Sequence, residues 1–231
     1  MDDPDYPLVS CIMPVHGGVD RLPLLRLAIQ SYCNQTYPNL ELIVIDDATN
    51  PMPFHWDAIP HCRYYTAGDI PVGSKRNLAC EYSRGEYICH FDSDDISAPD
   101  RISSQLLNLS QSSGFSILGY HTVYLYDVSI PCCYQYFYHR EYCVGASLMY
   151  RRSWWRKHPF PDISIGEDEI YTCRNRSNRL TLDGTHKLVV LLHENNLSTR
   201  DQMSKHPKLF PQISVSRLPL FCQDIFLLAI Q

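Results

Sequence analysis

The sequence predicts an α/β fold: a mostly parallel central sheet flanked by helices, with a smaller mixed β region in the second half. Three observations carry this expectation. Short apolar runs at residues 8–13, 40–45 and 87–91 have the length and composition of buried strands. Helical segments lie between them, and strand and helix alternating in this order favour parallel pairing. Each run stops where a strand can exit, at Pro14, at Asp46-Asp47 and at Asp92. At 231 residues the chain is long enough to bury such a core.

The elements follow in order. Residues 8–13 form a first strand, stopped by Pro14, which has no N–H to give a ladder. Asp20 is placed to cap a helix whose Leu22, Leu25, Ile29 and Tyr32 share one face. Residues 40–45 form a second strand and 62–65 a shorter third, and a helix entered through Gly73 spans 73–83. The strand at 87–91 runs into Asp92, Asp94 and Asp95, after which Ser97 can cap a helix with Pro99 near its start. Ile102, Leu106 and Leu109 give that helix its apolar face. Residues 116–126 are β-rich, 134–142 are heavy in tyrosine, and 143–150 are strand-like. Gly166-Glu167-Asp168-Glu169 opens another helix, and residues 188–192 form a strand ending at His193. Residues 215–231 are amphipathic; packing on the domain is their ordinary role, and membrane contact is expected only through this tail.

Composition narrows the classes. Hydrophobic residues make up 45% and charged residues 19%, ordinary for a globular protein. A net charge of -5 gives no electrostatic case for nucleic acid as a partner. The acidic start, Met1-Asp2-Asp3-Pro4-Asp5, lacks the basic and apolar regions of a signal peptide. No apolar stretch reaches the roughly 20 residues that span a bilayer, so a cytoplasmic protein is the expectation. The 10 cysteines are scattered, with no CxxC pair, and are expected as reduced thiols. The Asn-x-Ser/Thr sequons at Asn34, Asn108, Asn175 and Asn196 carry no meaning in that setting.

The chemistry concentrates at the strand ends. Asp92, Asp94 and Asp95 repel one another unless a cation sits among them, and a hard divalent cation with oxygen ligands is the usual answer. The same spacing also serves an acidic turn capping a helix. In a parallel sheet, ligands bind beyond the carboxyl ends of the strands, so Pro14-Val15-His16, Asp46-Asp47 and Asp92-Ser93-Asp94-Asp95 should converge.

From about Leu8 to His193 the chain resembles the inverting family 2 glycosyltransferases of the GT-A fold, a Rossmann-like sheet. Val9-Ser10-Cys11-Ile12-Met13-Pro14-Val15-His16 looks like the family's opening strand. Gln35-Thr36-Tyr37-Pro38-Asn39-Leu40-Glu41-Leu42-Ile43-Val44-Ile45-Asp46-Asp47-Ala48-Thr49 is very like its second strand. Gly73-Ser74-Lys75-Arg76-Asn77-Leu78-Ala79 is similar to the loop and helix before the DXD strand, and Asp92, Asp94 and Asp95 match the DXD region. Gly166-Glu167-Asp168-Glu169 resembles the Glu-Asp motif, and His193-Glu194-Asn195-Asn196 the His-x-x-Asn segment after it.

The resemblance implies a single domain over 1–205, with a nucleotide-binding half at 1–100, an acceptor-side half at 101–205 and a tail at 206–231. It implies a metal-dependent, inverting transfer of a sugar from a nucleotide-diphosphate donor, most simply a UDP-sugar, to a hydroxyl of a glycan, lipid or protein. Asp47, or Asp46 beside it, would anchor the base, with Pro14 and His16 lining its pocket. Lys75, Arg76, Asp92 and Ser93 would meet the nucleotide. Asp92, Asp94 and His193 would hold Mn2+ or Mg2+, with Asp94 favoured for direct contact. Asp95 and Glu167 would contact the donor sugar, Asp168 would be the base, and Trp154 and Trp155 would face the acceptor.

Other readings share parts of this pattern. A dehalogenase-type phosphatase wants its Asp-x-Asp early and followed by Thr or Val, whereas Asp95 follows here. A calcium loop needs a glycine at its sixth position, where Ser97 stands. A sugar nucleotidyltransferase would carry a basic glycine-rich loop near the first strand, and His16-Gly17-Gly18-Val19-Asp20 is poor in charge. A catalytically inactive nucleotide-sugar-binding module is the non-enzyme alternative, separated from the enzyme by turnover.

Overall fold

The computed structural model describes residues 6–16, 18–47, 52–137, 142–194, 196, 203 and 205–222. In chain order these form β1 (Val9–Val15), α1 (Leu22–Cys33), β2 (Leu40–Asp46), β3 (Cys62–Thr66), α2 (Val72–Tyr82), β4 (Tyr87–His90) and β5 (Asp95–Ser97). There follow α3 (Arg101–Gln111), β6 (Ile117–Asp127), β7 (Cys132–Phe137), β8 (Met149–Arg151), α4 (Arg152–Trp155), α5 (Glu167–Arg174), β9 (Arg179–Asp183), β10 (Leu188–Leu192) and β11 (Gln212–Ile213).

Strands β3, β2, β1 and β4 lie side by side in that order, all parallel. The short strand β8 runs antiparallel to both β4 and β6 and carries the sheet onward. Beyond it β6, β7 and β11 pair antiparallel, while β9 and β10 lie parallel to β6. The sheet is therefore continuous, parallel in its first half and mixed in its second. Alternation along each strand divides the core in two. Val9, Cys11 and Met13 of β1 pack with Leu42 and Val44 of β2 toward α1 and α3. Ile12, Ile43, Ile45 and Ile88 face Ala79 and Cys80 of α2, together with Trp155 and Tyr171.

The order β3-β2-β1-β4 places a reversal between β1 and β4, because the chain returns through α2 to the far side of β1. At such a reversal the loops on either side part and leave a crevice at the carboxyl ends. The segments after β1 and β4 flank that crevice.

Several local expectations change. Pro14 lies inside β1, not after it. The Ile12 carbonyl accepts from Phe91 N–H at 2.9 Å, so Ile12 faces β4, and that pairing ends at Ile12 opposite His90. Pro14 faces the same side just past the end of β4, where a missing N–H forfeits no ladder bond. Asp20 falls within a 3-10 turn, Val19–Arg21, ahead of α1, whose N-cap position is taken by Arg21. Ser97 ends β5 opposite Leu188 of β10, and α3 begins after Asp100. A strand from late in the chain captures Asp95–Ser97, and that pairing overrides the local capping pattern. Residues 143–150 divide into a 3-10 turn, Gly145–Ser147, and β8.

All ten cysteines are free thiols, and burial pushes Cys80 and Cys143 up to about 12. No helix among the described residues is long and apolar enough to cross a membrane. Of the tail, residues 206–222 pack on the domain: β11 joins β7, Phe210 stacks on Tyr136, and Cys222 is buried with Ile96 and Leu24. Residues 223–231 lie outside the described residues, as do Ala48, Thr49 and Asn195 of the motifs above.

Candidate active site

A cavity of about 260 Å³ opens at the reversal between β1 and β4. Pro14, His16, Arg21, Lys75 and Arg76 line it from the first half, and Asp92 to Asp95 form its floor. Tyr142, Gly145, Glu167 and Asp168 close it from the second half.

On the β2 side, Asp47 is buried beneath Lys75 and His16, which line the cavity. Lys75 Nζ pairs with its Oδ2 and also donates to the Val15 carbonyl at 3.2 Å. His16 Nδ1 donates to both carboxylate oxygens, at 3.0 and 3.1 Å, with its ring 61% exposed and open to a ligand. Asp46 is placed differently from the expectation. Its Oδ2 accepts from Tyr64 Oη at 2.7 Å and from Met52 N–H at 3.0 Å, and it does not line the cavity. Asp47 does not line the cavity either; it borders it through Lys75 and His16, whereas Asp46 points away into the β2–β3 side.

Arg76, from the first turns of α2, grips two carboxylates from different halves of the chain. It meets Asp92 with Nη1 at 3.0 Å and Nη2 at 3.3 Å, and Glu167 with Nε at 3.2 Å. Burial alone would lower its pKa, but Asp92 and Glu167 outweigh burial and raise it. Burial raises the Glu167 carboxyl, against the pull of Arg76. Beneath this cluster His90 is fully buried, with Nδ1 2.8 Å from the Gly145 carbonyl and Nε2 3.0 Å from Tyr150 Oη. Arg76 Nη1 lies 3.0 Å from the same Nδ1; burial and then the charge of Arg76 hold the ring well below the usual histidine range.

Asp94 stands apart from Asp92. Its Oδ2 accepts from Arg21 Nη2 at 2.5 Å and from His193 Nε2 at 2.9 Å. Burial works against its charge, but the His193 bond and the Arg21 charge hold its pKa below the usual carboxylate range. Asp95 is buried in β5 and accepts from Leu191 N–H at 3.2 Å; burial, with Asp94 and Asp92 nearby, raises its pKa well above the usual range.

Across the cavity, Gly166 starts α5 in the left-handed region, φ 80, a conformation glycine adopts without strain. Asp168 follows in the first turn. Its Oδ1 accepts from Glu169 N–H and its Oδ2 from Tyr142 Oη, both at 2.8 Å. Gly145 lets this carboxylate fit, since a Cβ there would stand 2.4 Å from Asp168 Oδ2.

The structure thus gathers Pro14, His16, Lys75, Arg76, Asp92 to Asp95, Glu167 and Asp168 around one cavity. It does not gather Trp154 and Trp155. Trp155 donates from Nε1 to Asn77 Oδ1 at 2.9 Å in the α2 packing layer, and Trp154 stacks on His158. Neither lines the cavity, because α4 packs its indoles against α2. Nor do Asp92, Asp94 and His193 meet as three ligands: among the described residues no trio of His, Cys, Asp and Glu closes into a metal cage. Asp92 is turned to Arg76, and the Nε2 proton of His193 is given to Asp94. One carboxylate, Asp94, facing this cavity does fit an ion that takes most of its shell from water and from a ligand's own oxygens. Arg21, His90, Tyr142 and Gly145 are site residues that no local pattern in the sequence marks.

A Rossmann-like parallel sheet extended into a mixed one, with carboxylates after β4 and another facing them, is the architecture of a GT-A glycosyltransferase. The chain belongs to glycosyltransferase family 2, whose family model matches residues 10–160. A Haemophilus influenzae glycosyltransferase is 34% identical over 108 residues, covering 44% of this chain and 42% of that protein. A Rickettsia prowazekii glycosyltransferase is 28% identical over 151 residues, covering 63% of this chain and 43% of that one. The matches thus span less than half the length of these relatives. Staphylococcus aureus TarS 1-349 in complex with UDP-GlcNAc superposes with a TM-score of 0.62 at 14% identity, over 82% of this chain and 60% of that one. The mannosyltransferase PcManGT of Pyrobaculum calidifontis, in complex with GDP-Man and Mn2+, gives 0.59 at 15% identity, over 84% and 59%. At these identities the likeness is one of fold.

Proposed function

We propose that this chain transfers a sugar from a nucleotide-diphosphate donor, a UDP-sugar, to a hydroxyl acceptor by a metal-dependent single displacement with inversion. One observation carries the reading: a single cavity has the Asp92–Asp94 turn on one wall and Asp168, held at a helix start, on the other. The donor complexes of TarS and PcManGT, the latter with Mn2+, support it by analogy of fold.

In this mechanism the base lies over Pro14 and His16, with His16 held in place by Asp47. Arg76 fixes Asp92 and Glu167 at the donor's diphosphate and sugar. The acceptor oxygen bonds to the anomeric carbon as Asp168 takes its proton, and the bond from that carbon to the phosphate oxygen breaks with its electron pair leaving on the diphosphate. The new bond forms on the face opposite the departing group, so the configuration inverts. Asp94, positioned by His193, would hold a divalent cation, Mn2+ or Mg2+, which when bound supplies Lewis-acid neutralisation of the leaving diphosphate. Asp168 is set for its task because Tyr142 and the Glu169 N–H orient its carboxylate.

The test is nucleoside diphosphate release from a panel of nucleotide sugars with Mn2+, with the anomer of the product read by NMR. Wild type turns over at least one donor with inversion, and Asp168→Asn binds UDP as wild type does but loses turnover by about 10²–10⁴-fold. Nucleotide binding without any turnover would leave a binding module instead.

A further inference from the structure

Three cations line the donor side of the cavity, and they are not held alike. Lys75 is 2% exposed and committed to Asp47 and the Val15 carbonyl. Arg76 is tied to two carboxylates, Asp92 and Glu167. Arg21 is 12% exposed, and among the described residues its salt-bridge partner is Asp94, an oxygen it shares with His193. Its other terminal nitrogen donates to the His16 carbonyl at 2.8 Å. Arg21 is therefore the cation of the three most easily given another anion.

Resting on the donor-site reading above, we propose that Arg21 is a diphosphate-contacting residue that competes with the divalent cation for Asp94. Asp94 Oδ2 already accepts from two nitrogens. Arg21 and a metal ion on the same oxygen would set like charges side by side in a partly buried site, where repulsion is strong. Arg21 gives up Asp94 when the ion takes that oxygen. A guanidinium left with only the His16 carbonyl lacks a counter-charge, and an uncompensated buried charge is costly. The donor's diphosphate satisfies it, since a guanidinium matches phosphate with paired N–H bonds. Metal and nucleotide then favour each other through one side chain, and the effect is reciprocal.

This predicts a pattern that a merely structural arginine would not give. Mn2+ binding is followed by loss of the free-ion EPR signal, with and without UDP, for wild type and Arg21→Gln. In wild type, UDP strengthens Mn2+ binding. Without UDP, Arg21→Gln binds Mn2+ more tightly than wild type, by about tenfold, because no cation has to be displaced. With Mn2+ present, the same variant binds UDP more weakly, by a similar factor, and the mutual enhancement shrinks. Arg21→Lys, which keeps the charge without the two-nitrogen reach, falls between, and covers the case in which Arg21→Gln fails to fold by circular dichroism. Unchanged or weaker Mn2+ binding by the folded variants without UDP would overturn the role of Arg21. If wild type binds neither UDP nor Mn2+, the donor-site reading itself falls.

Discussion

Gly145 shows how a residue with no reactive group can govern one that has it. Its missing Cβ is the space that Asp168 Oδ2 occupies, and its carbonyl lies 2.8 Å from His90 Nδ1. In Gly145→Ala the methyl would overlap Asp168, so the Asp168 side chain must shift from its place. A misplacement of about 1 Å at a reacting group can lower turnover by about a hundredfold. Gly145→Ala should therefore lower kcat by that order while UDP affinity, measured by calorimetry, stays near wild type. Unchanged kcat would show that Asp168 tolerates another rotamer. At this scale the sequence is uneven in what it discloses. Asp92, Asp94 and Asp168 are legible because each stands in a recognisable local setting. Arg21 is not, because its meaning depends on Asp94, 73 positions away. Tyr142 is visible only as one tyrosine in a run of them.

Elements matter through the joints between them. Asn77 of α2 accepts from Trp155 Nε1 at 2.9 Å and Phe160 N–H at 3.0 Å, and donates to the Phe160 carbonyl at 2.9 Å. One side chain thus fastens α4 and the segment leading to α5 onto the helix that bears Lys75 and Arg76. Asn77→Ala strands two donors in a packed layer, and each such group costs about 1–3 kcal/mol. The variant should melt at lower temperature than wild type, and its KM for donor should rise because Arg76 and Glu167 lose their common frame. A melting temperature equal to that of wild type would show that water replaces the amide. The strands and helices of the first half were legible from apolar runs and their punctuation. Strand β5 was not, since Asp95–Ser97 becomes a strand only through β10, and a local reading prefers the cap that Ser97 offers. The short β8 and β9 likewise depend on partners distant in sequence. Trp154-Trp155 read as a pair facing the acceptor, yet Trp155 is held by an asparagine of another helix and Trp154 stacks on His158.

For the molecule as a whole, the buried ionisable groups tie stability to pH. His90 is held neutral in the fold, its pKa well below the ordinary 6.5. Below about pH 6.5 the unfolded chain gains a proton there that the folded chain refuses, so this contribution to stability falls as pH falls, by up to about 1.4 kcal/mol per pH unit. Asp95 and Glu167, with raised pKa, act with the opposite sign: their contribution is full at acid pH and is lost as pH rises through their folded values. The share of His90 is therefore the difference between wild type and His90→Phe in urea unfolding at pH 7.5, 6.5 and 5.5. Wild type should lose stability relative to His90→Phe as pH drops, and parallel curves would mean the ring titrates normally.

The pairing of β5 with β10 also has a bearing on how the chain comes off the ribosome. The four parallel strands of the nucleotide side are complete once β4 has been made. The turn carrying Asp94 is not, for His193, its partner, is translated 99 residues later. The carboxylate turn is thus assembled from segments made far apart in synthesis, and a nascent chain stalled before β10 has its sheet of parallel strands but not the His193 bond that orients Asp94. The complete turn arrives only once β10 and His193 have been translated and the late strand has closed on β5.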